Sequence, residues 1–153
     1  MIYADSSFSA SLYALDANTV HANEIYQRDR RRPLFFTAWQ ELELLNTLRL
    51  GISRARRAKI RAPYQVANCQ RRIREDLQNG ILRRAEIHWP ACVRRANELS
   101  ESYSEKIGVV MLDIWQVACA IELRADSFWT FDADQEKLAR ATGKFKSVVG
   151  LDL

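Results

Sequence analysis

Apolar residues in this chain fall either into short unbroken runs or at positions that recur with helical spacing, and the two patterns alternate from end to end. Ile2-Tyr3-Ala4 predicts a buried strand that ends at Asp5, with Ser6 and Ser7 offering capping hydroxyls to a helix reaching Tyr13. A second helix is predicted from Thr19 to about Arg28. The segment Arg30-Arg31-Arg32-Pro33 should break it, since proline cannot continue a helix and restricts the residue before it. Leu34–Thr37 reads as a strand, followed by a helix from Trp39 to about Leu50 through Leu42, Leu45 and Leu48, with Gly51 as its stop. Ser53–Arg61 and Pro63–Gln78 form a basic helical hairpin closed by Asn79-Gly80. The pattern leaves residues 81–89 open between strand and helix. Pro90 suits the first turn of a helix running to about Ser104.

The last third predicts a strand Val109–Leu112 leading to Asp113, a helix Ile114–Arg124, and a strand Ser127–Phe131 ending at Asp132. A helix Gln135–Thr142 stopped by Gly143 and a closing strand Ser147–Val149 complete the order. Such alternation predicts an α/β fold: a three-layer α/β/α arrangement around a central parallel sheet of about four to five strands. The length fits one domain over 1–153, with the basic hairpin at about 53–80.

Composition alters this picture little, and charge alters it more. No apolar run approaches the roughly 18–20 residues that span a bilayer, and the first residues lack a basic segment, so neither a membrane protein nor a signal peptide is expected. Cys69, Cys92 and Cys119 are widely spaced and the histidines are only His21 and His88, which argues against thiolate zinc sites and a disulfide framework and for a reducing cytoplasm. The net charge of +4 is unevenly spread: residues 28–95 hold 17 Lys/Arg against 6 Asp/Glu, while the segments on either side are net acidic. A basic middle between acidic ends suits a polyanion partner beside a carboxylate site, although solvated arginine-rich helices have the same composition.

The carboxyl ends of parallel strands form the crevice where ligands bind, and Asp5, Asp113 and Asp132 are each predicted at such an end. Any one of them serves equally well as a helix cap. Three together point to a shared site, because crowded carboxylates repel and a hard divalent cation, Mg²⁺ or Mn²⁺, relieves that repulsion through oxygen ligands. On the helix 39–50, Glu43 shares a polar strip with Asn46 and Thr47, whereas Glu41 reads as a solvated first-turn acid; periodicity does not choose between them. Asp134 reads as the cap of the helix that follows, with contact to a metal through water the lesser alternative. Arg49, Arg54, Arg56 and Arg57 are candidates for RNA phosphates, a contact that would weaken steeply with salt. Trp115 and Trp129 read as core. No glycine-rich phosphate loop and no Ser/His/Asp arrangement is present.

Four segments resemble PIN domains, and in particular the VapC-type toxins of toxin–antitoxin pairs: Ile2-Tyr-Ala-Asp5-Ser-Ser7, Glu43-Leu-Leu-Asn-Thr-Leu-Arg49, Leu112-Asp113-Ile-Trp-Gln-Val-Ala118 and Phe128-Trp-Thr-Phe-Asp132-Ala-Asp-Gln135. The resemblance implies a catalytic set of Asp5, Glu43, Asp113 and Asp132, with Asp5, Asp113 and Asp132 on the metal, Glu43 acting through water and Ser7 adding a polar contact. It further implies Mg²⁺- or Mn²⁺-dependent endoribonuclease activity, an RNA substrate, a VapB-like antitoxin and a homodimer. The chain departs from the pattern at Trp115-Gln116, where many relatives carry histidine, and at Val110, where many carry arginine. The competing reading is a non-catalytic PIN-like module that holds RNA or a protein. A phosphate-handling α/β domain is a weaker third, since Asp5-Ser-Ser-Phe supplies no D-x-D nucleophile motif.

Overall fold

The structure, a computed structural model, describes residues 1–29 and 32–150. In chain order the elements are β1 (Ile2–Ala4), α1 (Ser6–Tyr13), α2 (Thr19–Asp29), β2 (Leu34–Phe36), α3 (Ala38–Arg57), α4 (Val66–Gln78), β3 (Leu82–Arg84), α5 (Trp89–Ile107), α6 (Met111–Glu122), β4 (Ser127–Trp129), α7 (Ala133–Thr142) and β5 (Ser147–Val149). The pairings β1 with β4, β4 with β5 and β2 with β3 are all parallel, as an α/β fold requires. Arg30 and Arg31, in the segment expected to break the second helix, lie outside the described residues. No helix among the described residues is long and apolar enough to cross a membrane.

The chain divides into two compact units, Met1–Asp5 with Ala85–Leu153, and Ser6–Arg84. In the first, β1, β4 and β5 lie side by side, with Ile2 opposite Ser127 and Ser127 opposite Ser147. Every residue of β1 and β4 is buried, which explains their unbroken apolar character. Helix α6 is buried from Asp113 to Ala120. Its Gln116 is fully enclosed, and the Tyr3 hydroxyl of β1 donates to Gln116 Oε1 at 2.5 Å. Trp115 and Trp129 are core residues, Trp115 stacking on Trp89 with ring centroids 5.3 Å apart.

The second unit carries the basic helices. The expected hairpin of 53–61 and 63–78 is corrected here: α3 continues unbroken through Gly51 to Arg57. Gly51 is no stop but a point of close approach, for a Cβ there would lie 2.0 Å from the Tyr64 hydroxyl. That hydroxyl donates to the Leu48 carbonyl at 2.8 Å, one turn before the glycine. The helix begins at a capping box, where Thr37 Oγ1 accepts from Gln40 N–H and Gln40 Oε1 accepts from Thr37 N–H, at 3.1 and 2.8 Å. On α4, Asp76 accepts from the Tyr13 hydroxyl of α1 at 2.6 Å, and the Arg72 guanidinium donates to the Leu12 carbonyl. Burial, then this hydrogen bond, push the Tyr13 phenol above its ordinary range.

Val109–Leu112, expected as a strand, form none. Gly108, at φ 81°, terminates α5 in the left-handed conformation, and α6 begins at Met111. Val110 and Met111 are 62% and 66% exposed, so the apolar run that mimics a buried strand faces outward.

Candidate metal centre

The site grows from the end of β4. Thr130 extends the pairing, its N–H donating to the Val149 carbonyl at 2.9 Å, and its buried hydroxyl accepts the N–H of Asp132 at 2.9 Å. Asp132 thereby takes up the extended conformation of an N-cap, and its Oδ1 accepts the N–H groups of Asp134 and Gln135 at 2.9 and 3.0 Å. The expectation that Asp134 caps this helix is therefore corrected: Asp132 is the cap, and Asp134 sits in the first turn of α7. Asp113 arrives from the first turn of α6, where its Oδ2 accepts the Val110 N–H at 3.4 Å.

These elements bring Asp113, Asp132 and Asp134 together, each offering a carboxylate oxygen within 4.8 Å of the others. Asp113 is buried, Asp132 half-buried and Asp134 exposed, so the cluster is closed on one side and open on the other. Burial first, and then the neighbouring Asp132 charge, hold the Asp113 carboxyl above the usual carboxylate range; the Val110 N–H and the Gln135 amide pull the other way. Two helix N-termini point their partial positive charge at the cluster, which offsets some of the repulsion. A donor set of three carboxylates fits a hard divalent cation, because such an ion takes oxygen ligands and removes the conflict between like charges. The buried Oε1 of Gln135, which takes no hydrogen bond among the described residues, stands in the same helical turn and adds a further oxygen acceptor to this donor set.

The other anticipated residues are placed as follows. Asp5 is fully buried at the carboxyl end of β1, its N–H donating to the Trp129 carbonyl at 3.0 Å, but it is not one of the three gathered carboxylates. Asp113 reaches the cluster from a helix start rather than from the strand end expected of it. Glu43 on α3 and Ser7 on α1 are partly exposed and belong to the second unit. There Glu41 forms an ion pair with Arg84 of β3 at 2.7 Å, which commits the rival carboxylate elsewhere. Arg49, Arg54, Arg56 and Arg57 are all exposed along the second half of α3. Gln135 went unread as a site residue, although its place three residues beyond a capping aspartate sets it on the same turn as the cap.

No protein-family model matches the sequence, and no curated protein matches it. Among solved structures, the chain is similar to VapC20 of Mycobacterium tuberculosis, a sarcin–ricin-loop-cleaving toxin. The match has a TM-score of 0.62 at 18% sequence identity and covers 90% of this chain and 94% of that one. At this identity the likeness establishes the fold, and the fold is the α/β, VapC-like PIN fold that the four sequence segments resemble.

Proposed function

We propose that this chain is a divalent-metal-dependent endoribonuclease acting as the toxin of a toxin–antitoxin pair. The observation that carries the reading is the convergence of Asp113, Asp132 and Asp134 at two helix N-termini within a VapC-like fold. In this reading Asp113, Asp132 and Asp134 hold Mg²⁺ or Mn²⁺, Asp5 completes the acidic wall, Glu43 acts through water, and Ser7 contributes a polar contact. A bound divalent cation there supplies charge neutralisation for a phosphodiester and a lowered pKa for water. Asp132 keeps its second oxygen available because only Oδ1 is engaged by the cap. Arg49, Arg54, Arg56 and Arg57 neutralise RNA phosphates. The partners are RNA, a VapB-like antitoxin and a second copy of the chain, all within the cytoplasm, and residues 1–153 act as one domain.

The test is cleavage of a defined RNA panel, including a sarcin–ricin-type stem-loop, by purified protein with Mg²⁺ or Mn²⁺ and with EDTA. Discrete products that vanish with EDTA are expected. RNA binding that neither needs metal nor leads to products would instead establish the non-catalytic module.

A further inference from the structure

Gln135 is only 6% exposed, and its amide meets the acidic cluster at Asp113, the buried member of the three. Its Nε2 donates to Asp113 Oδ1 at 3.3 Å, while its Oε1 is enclosed and takes no hydrogen bond among the described residues. Buried acceptors are nearly always satisfied, and among the described residues none donates to this one; the carboxylates beside its Nε2 contact are acceptors when ionised. The partner such an acceptor calls for is an O–H or N–H donor, which a bound water supplies. A cation of the Mg²⁺ class keeps several waters when it binds carboxylates, and such waters point their hydrogens outward. The amide has the right polarity for both neighbours: an N–H toward the ligand carboxylate and a carbonyl oxygen toward a hydrating water.

We propose that Gln135 is a positioning residue for the cation site, fixing the Asp113 carboxylate through Nε2 and accepting through Oε1 from a water in the hydration shell of the bound ion. This rests on the metal-dependent reading above and adds to it a residue outside the carboxylate set. Outer-shell partners of this kind orient ligands, and their loss typically weakens metal binding about 10–100-fold.

The experiment is Mn²⁺ titration of the intact chain by electron paramagnetic resonance, with thermal unfolding measured with and without Mn²⁺, for wild type and Gln135→Met. Methionine keeps the length of the side chain and removes both polar atoms, and Gln135→Leu replaces it if the methionine variant does not fold. The expected result is a dissociation constant raised about 10–100-fold, with a metal-free melting temperature no lower than that of wild type, since the orphaned acceptor has gone. A variant that melts lower without metal yet binds Mn²⁺ as wild type does overturns the proposal and makes Gln135 a packing residue. Wild type that binds no Mn²⁺ overturns the nuclease reading together with it. Independently of any variant, a crystal grown with Mn²⁺ should show a water on the ion within hydrogen-bonding distance of Gln135 Oε1. An ion whose waters do not reach that atom also overturns the proposal.

Discussion

Asp113 illustrates how one side chain serves against its own interest in the metal-free protein. Its carboxyl is buried beside Asp132 and is held above the usual carboxylate range by these two causes, with only long hydrogen bonds from Val110 N–H and Gln135 in compensation. A raised carboxyl favours folding while protonated: the contribution is complete below the unfolded pKa of about 3.9 and is lost as pH rises through the folded value. At neutral pH the charge is therefore a burden unless a cation is bound. Asp113→Asn is expected to raise the melting temperature of metal-free protein at pH 7, an advantage that fades as pH falls through the raised folded value and is gone below the ordinary carboxylate pKa, and to abolish the further rise that Mn²⁺ gives wild type. Thermal unfolding across pH, with and without Mn²⁺, checks this; a lower melting temperature at pH 7 without metal would count against it. Asp113 and Asp132 were legible in the sequence as acids of one cluster, with Asp134 as a lesser candidate, whereas Asp5, expected beside them, is not among the three gathered carboxylates. Gln135 was not legible, because its approach depends on the chain turning tightly about Asp132, whose Oδ1 draws in its N–H together with that of Asp134.

At the scale of elements, hydrophobic periodicity located most strands and helices but misjudged two junctions. Val109-Val110-Met111-Leu112 has the composition of a buried strand, yet only Val109 is buried. The left-handed turn at Gly108 and the bond from Val110 N–H to Asp113 start a helix there instead. Gly51 resembled a helix stop, and what pattern could not show is the tyrosine 13 residues later that occupies the space of its missing side chain. Glycine-to-alanine changes within helices ordinarily stabilise by about 1 kcal/mol. Gly51→Ala should do the reverse, destabilising by roughly 1–3 kcal/mol through overpacking and loss of the Tyr64–Leu48 bond. Urea unfolding of Gly51→Ala, Tyr64→Phe and the double variant measures it. The double variant should lose less than the two single losses added together, because without the hydroxyl the alanine has room; strict additivity would refute the steric account.

For the whole molecule, the α/β class and the parallel strands were readable because alternating short apolar runs and amphipathic helices leave few other arrangements. The VapC-like form rests on four short segments and on a structural likeness at 18% identity that covers nine-tenths of the chain. The central claim is chemical: the carboxylates at the start of α6 and α7 form a site for a divalent cation that cuts RNA. Asp132 allows this to be separated from folding, since asparagine caps a helix about as well as aspartate but brings no charge to the cluster. The most direct measurement is RNA cleavage by Asp132→Asn beside wild type at saturating Mn²⁺, with the stability of both proteins recorded. The account predicts stability within about 1 kcal/mol of wild type and a cleavage rate lower by at least about a hundredfold. A stably folded Asp132→Asn protein that cleaves RNA as wild type does would contradict it.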